Sequence, residues 1–142
     1  MKTSAVGIEL IKKYEGLKLQ AYVCPGGVLT VGYGHTKNVK ENMILTPQDA
    51  EELLIKDLEY FEEKLIDVVK VKINQNQFDA LISLIYNIGE GAFNESSLLK
   101  FINDNKFDLA ARQFPRWIYS NGKILTGLVN RRKAEREIFE YE

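Results

Sequence analysis

The segment from Phe78 to Tyr86 constrains this chain more than any other. Phe78, Leu81, Ile82, Leu84, Ile85 and Tyr86 leave almost no polar face on a helix of that length. A helix that is apolar nearly all round cannot lie on a surface and has to be enclosed by other elements. The chain therefore needs a helical lobe around this segment, and its flanks supply one. Asn74 opens the helix, and Gly89, Gly91 and Asn94 break it. Upstream, Thr46-Pro47-Gln48-Asp49 reads as a helix start, with Thr as N-cap, Pro at the first helical position and an acid in the first turn. Ala50, Leu53, Leu54, Leu58, Phe61, Leu65, Ile66 and Val69 then recur at helical spacing, which predicts a helix to about Val69. Downstream, short helices are predicted at about 95–104 and 106–114, a turn at Ser120-Asn121-Gly122, and a last helix from about Thr126 to Phe139.

The N-terminal part has a different texture. Residues 4–14 read as an amphipathic helix capped by Ser4 and ended by Gly16, with Val6, Ile8, Leu10, Ile11 and Tyr14 apolar. Over 17–36 the period changes: Leu17, Leu19, Ala21 and Val23 alternate, Pro25-Gly26-Gly27 turns, and Val28, Leu29, Val31 and Tyr33 follow with glycines between them. This predicts a short hairpin with an irregular third segment. The expected fold is α+β: a small β-containing lobe at about 15–60 and a larger helical lobe at about 61–142, with the N-terminal helix packed on it. At 142 residues these lobes make a single domain. A functional site belongs in the cleft between them.

Bulk properties exclude several classes. No apolar run approaches the roughly 18 residues of a membrane span, and the opening MKTSAVGIELIKKYEG carries charge where a secretory signal would be apolar. One cysteine, Cys24, permits no internal disulfide, in keeping with synthesis in a reducing cytoplasm. Net charge is −1, but residues 100–142 hold nine Lys/Arg against six Asp/Glu. Arg112, Arg116, Lys123, Arg131, Arg132, Lys133 and Arg136 read as a solvated basic face. Glu135, Glu137, Glu140 and Glu142 among them argue against a nucleic-acid arm.

Candidate chemistry gathers at the first helix end. Glu15 is flanked by Tyr14 and Leu17 directly before the glycine-rich hairpin. A carboxyl lying against apolar surface there would be desolvated and held protonated, as a general acid requires. Cys24 and Thr30 fall on the two arms of the hairpin and can face back toward it. Glycosidases pair an acid with a second group that activates water or attacks the sugar. The first 48 residues hold no aspartate, and Glu9 lies nearly opposite Glu15 on the helix, so Cys24 stands where a second carboxylate is missing. An unperturbed thiol titrates near pH ~8.5, and an ionised Glu15 would push Cys24 higher. His35, the only histidine, reads as structural hydrogen bonding, since one His without a ligand cluster makes no ordinary zinc site. Phe114 and Trp117 read as core before sugar platforms. Asn87 is read either as a substrate contact or as a buried cap.

The string Tyr14-Glu15-Gly16…Cys24…Thr30-Val31-Gly32-Tyr33-Gly34-His35 resembles the phage-type lysozymes, glycoside hydrolase family 24, whose site runs Glu, eight residues, Asp or Cys, five residues, Thr. Gln77–Leu81 through Tyr86–Gly89 resembles that family's central helix. Ser96–Leu99 follows in register, and Gly127–Glu135 resembles its C-terminal signature. The resemblance implies a two-lobed lysozyme-like fold and hydrolysis of the β-1,4 bond between N-acetylmuramic acid and N-acetylglucosamine. It makes Glu15 the acid, puts Cys24 at the Asp/Cys position and gives Thr30 the positioning of water or substrate. Arg131 becomes the arginine that approaches the acid, with Tyr33, His35 and Asn87 in support. Most members with Asp invert configuration; with Cys24 the outcome stays open. The implied partner is bacterial peptidoglycan, with no cofactor, metal, nucleic acid or stable membrane insertion. The chain is expected to be a monomer that waits in the host bacterial cytoplasm for a holin-like factor. Two rival readings stand beside hydrolysis: a lytic transglycosylase, which manages with one acid, and a non-catalytic wall-binding relative.

Overall fold

The computed structural model describes residues 1–141. The predicted central helix is α3, Gln75–Ile88, and its residues from Phe78 to Ile85 are all buried. Asn74 caps it in a reciprocal box with Gln77, each side chain reaching the other's backbone N–H at 2.8 and 2.9 Å. Around it pack α1 (Ala5–Glu15), α2 (Pro47–Val68) and α7 (Thr126–Glu140). The core joins Ile11 of α1, Leu54, Leu58 and Leu65 of α2, and Phe139 of α7 to Phe78, Leu81, Ile82 and Ile85. Thr46 starts α2 as the N-cap that the Thr-Pro-Gln-Asp string predicts, and the structure adds a capping box closed on Asp49.

Ser4 precedes α1 but its side chain does not cap the helix. Its hydroxyl instead donates to the buried Asp79 of α3, which also accepts from the Ser4 backbone N–H at 2.9 Å and from Gln75 Nε2 at 2.8 Å. Gly7 allows this approach: a Cβ there would lie 2.9 Å from Asp79 Cγ. The start of α1 is thus moored to the centre of the helical lobe.

The small lobe is an antiparallel hairpin of β1 (Lys18–Val23) and β2 (Leu29–Gly32), pairing Val23 with Leu29 and Tyr22 with Thr30, with an irregularity before Tyr22. The irregular third segment lies further along than expected. Residues 43–45 line the free edge of β1, with Ala21 N–H donating to Met43 O at 2.9 Å and Leu45 N–H to Leu19 O at 2.7 Å.

Beyond α3 the chain forms α4 (Glu90–Asn94), α5 (Ser97–Asn103), α6 (Phe107–Ala111) and a 3-10 turn at Phe114–Arg116. Helix α4 is an addition to the expected elements: Gly89, at φ +89°, both ends α3 and caps α4. A second hairpin, β3 (Tyr119–Ser120) and β4 (Lys123–Ile124), closes over the Asn121-Gly122 turn, both residues at positive φ. Among the described residues, no helix is long and apolar enough to cross a membrane.

Candidate active site

Glu15 is the last residue of α1, and Gly16 leaves the helix at φ +73°. Its carboxyl meets a buried arginine, a partner that the residues around Glu15 in the sequence do not announce. Oε2 accepts from Arg131 Nη1 at 2.5 Å, in a pair whose side chains are only 3 % (Arg131) and 19 % (Glu15) exposed. Oε1 lies beside Gly34, where a Cβ would stand 3.0 Å from it. Gly34, at φ +81°, belongs to a tight turn closed by Val31 N–H to His35 O and His35 N–H to Val31 O, both 2.9 Å. Tyr14 Oη donates to Asn130 O at 3.3 Å, which ties the end of α1 to α7 next to Arg131.

Arg131 is held by more than the acid. Its Nη2 donates to Ser83 O at 3.0 Å, and its Nε lies 3.4 Å from Ser83 Oγ and 3.3 Å from Glu135 Oε2. Ser83 Oγ donates to Glu135 at 2.5 Å, and Arg132 Nη2 donates to the same carboxylate at 3.1 Å. Arg132 Nε is 2.7 Å from Glu135 Oε1 but too poorly aligned to hydrogen bond, so that contact is ionic. Burial raises the carboxyl of Glu135 and lowers the guanidinium of Arg132 from their ordinary values, while the opposite charges facing each act the other way. The basic stretch of the sequence is therefore not one solvated face. Arg131 and Arg132 are 2 % and 1 % exposed, and Glu135 is fully buried.

Cys24 and Thr30 sit together at the far end of the hairpin. Thr30 is buried and its Oγ1 donates to Val28 O at 2.9 Å, while Cys24 is partly exposed with Sγ close to Gly26. The thiol is lowered from its ordinary value, first by the backbone of Val28, then by that of Gly26 and by the Thr30 hydroxyl. This reverses the expected direction. Local N–H donors of a tight turn favour the thiolate and outweigh the burial that opposes it. The Thr30 proton already given to Val28 O must turn to reach the sulfur, so the backbone is the firmer cause.

The supporting residues divide. Tyr33 turns its ring over Lys12, 5.7 Å from Nζ, and its carbonyl accepts from Tyr86 Oη at 2.6 Å. His35 has both ring nitrogens engaged, Nδ1 with Asp57 at 2.7 Å and Nε2 with Lys37 O at 2.7 Å. Asn87 is exposed rather than a buried cap, and lines a groove of about 580 Å³ with Trp117, Tyr119 and Leu128. Phe114 is core, stacked at a tilt on Phe139 at 5.4 Å. Sequence reasoning missed Ser83, Glu135 and Tyr86 as site residues. The spacing of Arg131 and Arg132 to Glu135 on one helix was a signal that could have found Glu135. Among the described residues, no three His, Cys, Asp or Glu side chains converge on a metal position.

A helix-end carboxyl clamped by an arginine of the last helix, under a glycine turn of a small β-lobe, is the architecture of a lysozyme. The family model described as phage lysozyme matches residues 12–135. The endolysin of Bacillus phage PZA is 46% identical over 142 residues, covering 98% of this chain and 55% of its own length. The endolysin of Acyrthosiphon pisum secondary endosymbiont phage 1 is 43% identical, with 99% of both chains covered. The solved muramidase domain of SpmX from Asticaccaulis excentricus superposes with a TM-score of 0.94 at 39% identity, covering 99% of each chain. This chain belongs to the phage lysozyme family. It spans about half the length of the phage PZA relative and nearly the whole of the other two.

Proposed function

We propose that this protein is an endolysin muramidase that hydrolyses the β-1,4 bond between N-acetylmuramic acid and N-acetylglucosamine in bacterial peptidoglycan. The observation that carries this reading is the Glu15–Arg131 pair under the Gly34 turn, in a chain of the phage lysozyme family. With Oε2 held by the guanidinium, Oε1 is the oxygen left to carry a proton to the departing sugar oxygen. Cys24, with its thiol drawn down by the hairpin turn, takes the second role: a thiolate that removes a proton from the attacking water, which Thr30 helps to place. The buried Arg131–Glu135–Arg132 cluster does no chemistry and fixes the arginine that fixes the acid. Nothing in the site or the comparisons favours a transglycosylase over a hydrolase.

Glu15→Gln tests the reading: it is nearly isosteric and has no acidic proton to give. Clearing of a peptidoglycan suspension should fall by at least about 10²–10⁴-fold with the fold intact, and near-normal clearing refutes the assignment. Mass spectrometry of wild-type products should show reducing muramic acid ends; anhydro ends would mean transglycosylation. We further propose that the protein, a monomer, is made in the host cytoplasm and depends on a separate membrane-permeabilising factor to reach the wall. Expression without such a factor should leave cells intact.

A further inference from the structure

Tyr86 is where the central helix reaches the hairpin lobe. Its ring packs edge-on against Phe61, with centroids 5.6 Å apart at 78°. Its hydroxyl crosses to the other lobe and donates to Tyr33 O at 2.6 Å. The next residue is Gly34, and a Cβ there would lie 3.0 Å from Glu15 Oε1 and 3.6 Å from Tyr86 Oη. Three elements therefore meet at one point: the end of α1, the turn after β2 and the last turn of α3. We propose that Tyr86 is a positioning residue for the proton donor, its hydroxyl holding the Tyr33–Gly34 turn against Glu15 so that Oε1 keeps one direction.

The two oxygens of Glu15 are restrained in different ways. Arg131 fixes Oε2 by charge and hydrogen bond. Among the described residues no hydrogen bond or ion pair fixes Oε1; it faces Gly34, where a Cβ would stand 3.0 Å away. A backbone wall restrains a carboxyl only if the wall itself is held. Two side-chain hydrogen bonds tie the turn to the helices: His35 to Asp57 of α2 at 2.7 Å, on its outer end, and Tyr86 of α3 to the carbonyl directly before Gly34, among the described residues. Loss of the second lets the peptide between Tyr33 and Gly34 rotate, and water then enters beside Oε1. The nearness of hydroxyl and acid also shows in the phenol, which is raised from its ordinary value first by burial and then by the charge of Glu15. Ring packing and hydroxyl are separable, because the contact with Phe61 does not involve oxygen.

The inference rests on Glu15 being the acid, so two variants are measured together on soluble, uncross-linked glycan fragments. In Tyr86→Phe, kcat should fall about ten- to a hundredfold, the range for a small misplacement of a reacting group. KM should stay within about twofold, because no substrate contact is removed. A merely structural hydroxyl would lower the melting temperature and leave kcat of the folded protein unchanged. Wild-type kcat in Tyr86→Phe, or a rise in KM alone, overturns the proposal. Glu15→Gln separates the two ideas. If it is inactive while Tyr86→Phe keeps its kcat, the positioning role alone is wrong. If it is active, the acid is misassigned and the positioning role falls with it.

Discussion

Arg131 and Arg132 are adjacent, equally buried and paired with the same carboxylate, yet only Arg131 touches Glu15. Alanine at each position therefore separates stability from chemistry. Removing one partner from a buried ionic cluster costs about 3–5 kcal/mol, because the remaining charge stays desolvated. Both side chains are at most 3 % exposed, so the cost applies to both with little solvent screening. For a domain near this size each kcal/mol moves the melting temperature by about 2–4 °C, which predicts a drop of about 6–20 °C for either variant. The chemistry should differ. Arg131→Ala removes a charge-assisted hydrogen bond of 2.5 Å from the acid. Such bonds are worth about 1.5–3 kcal/mol, or about ten- to 150-fold in rate if the bond holds the reactive geometry. Arg132→Ala should leave kcat of the folded fraction within about threefold, since its other partner is Trp117 O. The assay is calorimetric melting together with initial rates on purified peptidoglycan, well below both melting points and normalised to folded protein. Equal kcat losses would refute the division of labour. An unchanged melting temperature in Arg132→Ala would refute the claim that the buried cluster is stabilising as a unit.

Further outcomes follow from the same geometry. Cys24→Ala should remove most activity if the thiol activates water, and the pH–rate profile in reducing buffer checks it. A carboxylic acid is ordinarily a stronger acid than a thiol, so in a site that needs protonated acid and free thiolate the alkaline limb reports the thiol. Because the turn draws Cys24 down, that limb should lie below the ordinary thiol range, and Cys24→Asp should move the optimum to lower pH. Gly34→Ala places a methyl 3.0 Å from Glu15 Oε1 at φ +81°, so it should lose about 1–2 kcal/mol of stability and most of its kcat. Melting and initial rates again decide. Asp79→Ala leaves the Ser4 N–H and the Ser4 hydroxyl without their acceptor, while Gln75 keeps Lys2 O, and should cost about 2–4 kcal/mol with kcat of the folded protein unchanged.

What could be read from the sequence was local. The apolar run of α3 and the Thr46 N-cap carry their meaning within a turn or two, and both stand in the structure where they were expected. The Ser4 hydroxyl shows the limit. Its type and place signal a cap, but Asp79, 75 positions away, takes the hydroxyl, and no local pattern announces it. Charged residues mislead most. Arg132 and Glu135 read as surface because charge favours water, and only the packing of α7 on α3 shows them to be interior. The Glu15–Arg131 contact spans 116 positions and came from the family pattern, not from periodicity. For Cys24, attention to a distant carboxylate hid the nearer effect of the turn's own amides. The β3–β4 pair escaped because two-residue strands are too short to alternate.

Helix α3 carries one further consequence. Along its apolar length Asp79, Ser83 and Tyr86 recur at spacings of four and three, so they form a single stripe. Asp79 takes the head of α1, Ser83 joins the α7 cluster, and Tyr86 holds the turn beyond β2. Each end of the chain and the hairpin lobe is thus spliced to the same rod. A lobe so tied has no inexpensive way to come undone alone, because freeing it strands a polar group inside the rod's apolar sheath. The hairpin, though thin and largely open to solvent, should then share the unfolding transition of the helices. The slowest-exchanging amides of Tyr33–His35 and of α3 should report one common opening event instead of two.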